Sequence, residues 1–350
     1  MKIAILGDTH WGTRGDLPIF YDHFAKFYDD FFQYLTENQI DTVFQLGDLF
    51  DRRKYINFRT LSESRRIFFD RLRRNDITLH VLVGNHDIHM RESVDINSPS
   101  LLLSEYENVH VYSSPHTLNL DDTSIDIIPW ICRDNESEVM DFINRSKSDV
   151  CMGHFEIAGF AMYRGLESHE GLSADTFLKY AYVFSGHYHT RSVKDNIMYV
   201  GTPYEMTWQD YSDPKGFHVL DTDEMKVTFV CNTNTVFERI EFDDTRKIPV
   251  VEDLGLTDKF VKLVVTNKTN MFQFDNFLSK LYACGAYEIK IIDDMNEFTE
   301  GEVGGEVDLE DTMDVLSNYI DSIETNANKD NIKNFMKTLY LEAIHMEIEE

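Results

Sequence analysis

The chain is poor in the residues that staple small folds or anchor them to membranes. Its 350 residues include only four cysteines, Cys132, Cys151, Cys231 and Cys284, and seven prolines. No two cysteines form a CxxC pair, which excludes zinc-ribbon and thioredoxin-like readings and points to a reducing compartment. Long apolar runs are lacking too. The N-terminus offers only Ile3 to Leu6 before Gly7, and no later run approaches the roughly 18 residues that cross a bilayer. These absences predict a soluble, intracellular protein with no membrane contact. A GxxxxGK[ST] loop is missing, so the chain is expected to bind no nucleotide and any ATP dependence must come from a partner. Positive charge is scarce, with 33 Lys+Arg against 62 Asp+Glu and a formal charge of -29. Proteins that hold nucleic acid by their overall field are basic, so this balance argues at first against a partner made of phosphates.

What is present is a foldable chain: 42% of residues are hydrophobic and 13% aromatic, enough apolar surface to offset chain entropy. The length favours one main domain of about 200 to 250 residues with additions. Ile3 to Leu6, Thr42 to Leu46 and Ile77 to Val83 read as buried strands. Between them, Phe20, Phe24, Phe27, Phe31 and Leu35 recur at helical spacing within Leu17 to Gln39, and a second helical stretch covers Phe58 to Asn75. Alternating strands and helices imply βαβ units and a largely parallel central sheet, an α/β fold. Further strands are expected at Ser124 to Ile128, Asp149 to Met152, Tyr182 to Phe184 and Met198 to Val200, a helix at Glu136 to Ser146, and a hairpin from Phe217 to Cys231. The large domain is expected to end near Phe242, followed by a compact unit with a strand at Phe260 to Val265, a helix at Asn270 to Cys284 and a strand at Glu288 to Ile292.

Beyond Ile292 the composition shifts to 17 acidic residues against 3 lysines. Glu300 to Gly305 reads as a flexible connection. Apolar residues return at helical spacing in Ile332, Phe335, Met336, Leu339 and Ala343, and more loosely in Leu309, Met313, Leu316 and Ile320. Two readings stay open for these amphipathic helices: packing on their own domain, or docking a partner protein.

The chemistry lies at strand ends. Gly7-Asp8-Thr9-His10, Gly47-Asp48-Leu49-Phe50-Asp51, Gly84-Asn85-His86-Asp87, Gly153-His154 and Gly186-His187-Tyr188-His189 each join glycine to residues able to bind metal. In a parallel sheet the C-terminal strand ends share one edge, so clusters far apart in sequence can converge there. Asp8 and His10, like His187 and His189, would point to one side on extended backbone. Any single motif is weak; five in this order are strong, because five of the thirteen histidines fall in these contexts. A mixed oxygen and imidazole set suits two ions such as Mn, Fe or Zn, whereas Mg or Ca prefers oxygen alone.

The series DTH, GDLFD, GNHD, GH and GHYH resembles the calcineurin-like metallophosphoesterases. Within them, GDLFD followed by a basic helix, GHYH and Tyr199-Val200-Gly201-Thr202-Pro203 resemble the SbcD-type nuclease subunit of recombination and double-strand-break repair complexes. The resemblance implies a sandwich of mixed β-sheets flanked by helices (residues 1–242), a small α/β capping domain for DNA recognition (243–299), and a linker with C-terminal helices (300–350) that dock a coiled-coil ATPase of the SMC type. It implies a homodimer within a heterotetramer, for which the apolar run Leu101-Leu102-Leu103 is the candidate contact. Two divalent ions, Mn by this resemblance with Mg or Fe as alternatives, would be held by Asp8, His10, Asp48 and His189 and by Asp48, Asn85, His154 and His187. His86 would act as general acid at the leaving oxygen, and Asp87 would fix a histidine tautomer. The implied activity is 3'-5' exonuclease and single-strand endonuclease. Asp51 departs from the archaeal and eukaryotic pattern, which has histidine there.

The charge problem has a local answer. Residues 52 to 74 carry nine basic side chains against Glu63 and Asp70, and Arg52, Arg53 and Lys54 follow directly on the metal motif, where DNA phosphates would lie. A solvated helix face is the competing explanation. Two other functions compete: a phosphatase or small phosphodiesterase of the same superfamily, which Asp51-Arg52 echoes, and a non-catalytic DNA-end scaffold, which an intact ligand set opposes.

Overall fold

The structure, a computed structural model, describes residues 1–163, 166–168 and 171–292, together with 329 and 333. The linker and the C-terminal docking helices expected over 300–350 lie outside the described residues. Strands are labelled in chain order. They are β1 (Lys2–Leu6), β2 (Thr42–Gln45), β3 (Thr78–Leu82), β4 (Ile88–Met90), β5 (Ser93–Asn97), β6 (Val109–Tyr112) and β7 (His116–Leu120). Next come β8 (Thr123–Ile128), β9 (Val150–His154), β10 (Ala161–Tyr163), β11 (Leu166–Glu167), β12 (Tyr182–Gly186), β13 (Ser192–Lys194) and β14 (Ile197–Tyr199). The last are β15 (Gly216–Asp221), β16 (Lys226–Cys231), β17 (Phe237–Asp243), β18 (Phe260–Asn267) and β19 (Glu288–Ile292).

Two mixed sheets face each other, the sandwich that the family resemblance implies, where the alternation of strands and helices alone predicted one largely parallel sheet. The first has the order β16-β15-β1-β2-β3-β6 and the second β13-β14-β12-β9-β8-β7. In each, four adjacent strands are parallel and antiparallel strands complete the sheet, at one edge of the first and at both edges of the second. The strands split into two sheets because their side chains alternate between two cores. Ile3 and Ile5 of β1 pack between the sheets with Phe44, Ile125, Ile127, Met152 and Phe184. Ala4 and Leu6 face the other way, under the helix Pro18–Glu37, whose Phe20, Phe24, Phe27, Phe31 and Leu35 form the expected buried stripe. The outer face of the second sheet is covered through Val139 and Ile143 of the helix Glu136–Arg145.

The second helical stretch runs from 58 to 74, with a one-turn widening at Arg65–Phe69. A small three-stranded sheet, β17-β18-β19, is parallel throughout and covered by the helix Met271–Ala283. It starts earlier than expected. The strand ending at Asp243 pairs with β18, so Phe242 lies inside the small sheet rather than before it, and Phe237 and Phe260 stack against Phe20 of the long helix. The run Leu101-Leu102-Leu103 is not one surface: Leu101 is 68% exposed while Leu103 is buried in the core. Among the described residues, no helix is long and apolar enough to cross a membrane.

Candidate metal centre

β1, β2 and β3 of one sheet and β9 and β12 of the other deliver all the predicted ligands to one place. Their closeness depends on the glycines. A Cβ on Gly84 would overlap the backbone nitrogen of Asp48, and one on Gly47, at φ 92°, would overlap His154 Nδ1. Three ligands also sit at positive φ, namely His10 (40°), Asp48 (52°) and His187 (88°), the stored backbone strain that functional sites tolerate. Asp8 and His10 therefore meet for a reason other than the expected one. β1 ends at Leu6, and a turn, not strand alternation, aims both side chains inward.

The ligand atoms fall into two groups, Asp8, His10 and His189, and Asp48, His154 and His187, each within 4.8 Å. Asp48 reaches both, with Oδ2 3.8 Å from His10 Nε2 and 3.4 Å from His154 Nε2. Asn85 Oδ1 joins the second group, 2.8 Å from His154 Nε2 and 3.2 Å from His187 Nδ1. The donor atoms fit cations. His154 Nδ1 donates to the Leu46 carbonyl at 2.7 Å, so Nε2 faces the Asn85 oxygen and Asp48; burial would lower the imidazole, but the Asp48 and Asp8 carboxylates outweigh it and raise it to about 9. Likewise His10 Nε2 and His189 Nε2 face each other at 3.0 Å. Either a proton or a metal ion can join each pair, and nitrogen and oxygen donors converging in this number suit a metal.

Electrostatics agree. Burial would raise the Asp48 carboxyl, but His154, His86 and His10 outweigh it and hold it well below the ordinary range. Burial lifts Asp8 above its ordinary value, and the charge of Asp48 adds to the lift. Burial and the neighbouring His154 push His187 down to about 3, so it is a neutral imidazole with a lone pair to give.

His86 sits beside the ligands, its ring 4.9 Å from that of His10. Its backbone N–H donates to Asp48 Oδ1 at 2.8 Å, and its Nδ1 donates to the Asp51 carbonyl at 2.8 Å. That bond puts the exchangeable lone pair on Nε2. Asp51 acts twice, since its carboxylate also lies 3.4 Å from His10 Nδ1. The tautomer role expected of Asp87 thus belongs to Asp51. Asp87, fully buried, instead accepts the N–H groups of Leu49, Phe50 and Gly84 at 2.9 to 3.2 Å, because it points back under the two metal-bearing turns.

One supporting group had no sequence signal. Lys215, nearly fully buried, pairs with Asp210 at 2.7 Å and Asp213 at 2.8 Å and donates to the His189 carbonyl at 2.9 Å. Burial disfavours the Asp210 charge, but Lys215 outweighs it and keeps that carboxyl low. Only the fold brings Lys215 under the GHYH turn.

The basic strip divides. Arg65, Arg66, Arg71 and Arg73 are ion-paired with Glu105, Glu63, Asp29 and Asp70, so the helical part behaves largely as a salt-bridged face. Arg52 and Arg53 are half-buried and Lys54 is exposed in the loop after Asp51, with Arg52 stacked on Tyr55.

Two facing mixed sheets with carboxamide, carboxylate and imidazole ligands at their shared edge define a dimetal phosphoesterase. The chain belongs to the calcineurin-like phosphoesterase family, whose family model matches residues 1–191. It is 34% identical over 346 residues to exonuclease subunit 1 of Enterobacteria phage T4, covering 98% of this chain and 99% of that one. It is also 24% identical over 315 residues to the DNA double-strand break repair protein Mre11 of Nanoarchaeum equitans, covering 79% and 82% of the two chains.

Proposed function

We propose that this chain is the metal-dependent nuclease subunit of a DNA recombination and repair complex, a phosphodiester hydrolase. The observation that carries the reading is Asp48 reaching both ligand groups with His86 alongside, in a chain similar end to end to a phage exonuclease subunit. Asp8, His10, Asp48 and His189 would hold one ion, and Asp48, Asn85, His154 and His187 the other. Two divalent ions, Mn in this reading, supply an activated water and neutralise charge on the phosphoryl oxygens. His86, oriented by the Asp51 carbonyl, would take up a proton on Nε2 and, as imidazolium, give it to the leaving oxygen. Asp87 and Lys215 hold the turns that carry the ligands.

The finer reading is 3'-5' exonuclease and single-strand endonuclease action in a homodimer joined to an SMC-like coiled-coil ATPase. The nuclease domain expected over 1–242 would end before β17 at Phe237, the capping domain would run from β17 to 299, and 300–350 would dock the ATPase. Arg52, Arg53 and Lys54 would contact DNA phosphates. The phage relative and the free cysteines support action in the cytoplasm of a host cell. The test is Mn-dependent degradation of end-labelled duplex DNA, with and without the ATPase, beside phosphate release from a phosphopeptide. Turnover of the DNA is expected; turnover of the phosphopeptide alone would overturn the reading in favour of a phosphatase.

A further inference from the structure

Trp130 is the large side chain at the metal centre that neither metal binding nor proton transfer uses. Its ring centroid lies 5.8 Å from His154 and 5.2 Å from His187, both in the second ligand group. The residue is held firmly. Its N–H donates to the Val83 carbonyl at 2.8 Å, just beyond β3, and its carbonyl accepts Asn135 Nδ2 at 2.9 Å. Asn135 Oδ1 in turn accepts the Cys132 N–H at 2.8 Å. The indole packs against Val83, Ile88, Val94 and Cys132, yet remains half-exposed.

A nuclease must position the nucleoside attached to the phosphate it cleaves, and must do so for any base. An aromatic ring does this, since every base has a π-face and stacking is worth roughly 1–3 kcal/mol per base. We infer that Trp130 is a base-stacking positioning residue, holding the nucleobase next to the scissile phosphate on the side of His154, His187 and Asn85. This inference rests on the nuclease reading above. A base reaches an indole only when it has left its own stack, so the platform favours frayed ends and single strands over intact duplex.

Two measurements on the full chain test it. The first is made in EDTA, without metal or turnover, by titrating a single-stranded oligothymidylate and following tryptophan emission. The wild type is expected to be quenched and Trp130→Phe not, because of the other two tryptophans Trp11, although next to His10 in the chain, has its ring buried against Tyr21, Phe24 and Tyr28, and Trp208 packs on Phe237. Equal quenching of both proteins, or none of the wild type, overturns the proposal. The second compares, with Mn(II), an oligonucleotide carrying a base at the cleaved nucleotide with the same oligonucleotide made abasic there. Trp130→Ala is expected to raise KM on the base-bearing substrate by roughly 5- to 150-fold and far less on the abasic one, with Trp130→Phe restoring most of the affinity. Equal effects on both substrates would make Trp130 a packing residue and overturn the stacking role. If the wild type cleaves neither substrate, the nuclease reading fails, and quenching in EDTA decides the stacking by itself.

Discussion

Asp48 accepts the backbone N–H of His86, so the residue shared by the two ligand groups also sets where the proton donor stands. His86→Ala is therefore expected to keep both ions while losing about 10²- to 10⁴-fold of the DNA hydrolysis rate; metal content and rate on the same preparation check it, and a wild-type rate would remove His86 from the chemistry. Lys215 shows what a buried charge does at this scale. Lys215→Met would leave Asp210 buried without its partner and is expected to cost about 3–5 kcal/mol of stability, seen in chemical denaturation. Without the hydrogen bond to the His189 carbonyl, Mn affinity should fall roughly 10- to 100-fold in a calorimetric titration. The ligands were legible as residue types, since glycine-led Asp and His motifs stand out in any chain. The roles of Asp51, Asp87 and Lys215 were not, because each depends on a contact distant in sequence: the Asp51 carbonyl with His86 Nδ1, Asp87 with the 47–50 turn, Lys215 with the His189 carbonyl.

Among the elements, the loop after β2 holds three consecutive basic residues, Arg52, Arg53 and Lys54, shortly after Asp48. Replacing Arg52, Arg53 and Lys54 by glutamine should weaken DNA binding and flatten the slope of log affinity against log salt by about one for each phosphate no longer neutralised; filter binding across a salt series is the check. β3 carries a pH-sensitive position. His80 is buried between Phe44 and His110, with Nδ1 2.9 Å from the Tyr112 hydroxyl, and burial, His110 and His116 pull it down to about 4. Its folded value is below the unfolded 6.5, so the unfolded chain binds the extra proton first and stability falls as pH drops from 6.5 towards 4. The contribution is on the order of 3 kcal/mol. His80→Phe, compared with the wild type in denaturant midpoints from pH 7 to 4, should show a shallower decline. Long periodic elements were readable because one buried stripe or face imposes its own spacing. The hairpin β4–β5 and strands β6, β7, β13 and β17 were not, because short or half-exposed strands lack a continuous apolar run.

For the whole molecule, the acidic total of -29 coexists with a cationic loop and a site built to gather positive ions. Residues 293–350 hold a large share of that acidity, and removal of 301–350 is expected to abolish ATPase association while sparing basal nuclease activity, measured by co-purification and by DNA degradation on one sample. Retained association would remove the docking role. The sequence by itself determined the α/β class, the candidate ligand residues and the order in which strand ends present them, since those follow from local apolar runs and from residue chemistry. Only the tertiary structure decided which strands fall in which sheet, that His10 and His187 turn inward at positive φ, and that Trp130 stands beside the ligands. The physical reason is that alternate faces of one strand are buried against different partners, and which partner lies on which side is a property of long-range packing rather than of neighbouring residues.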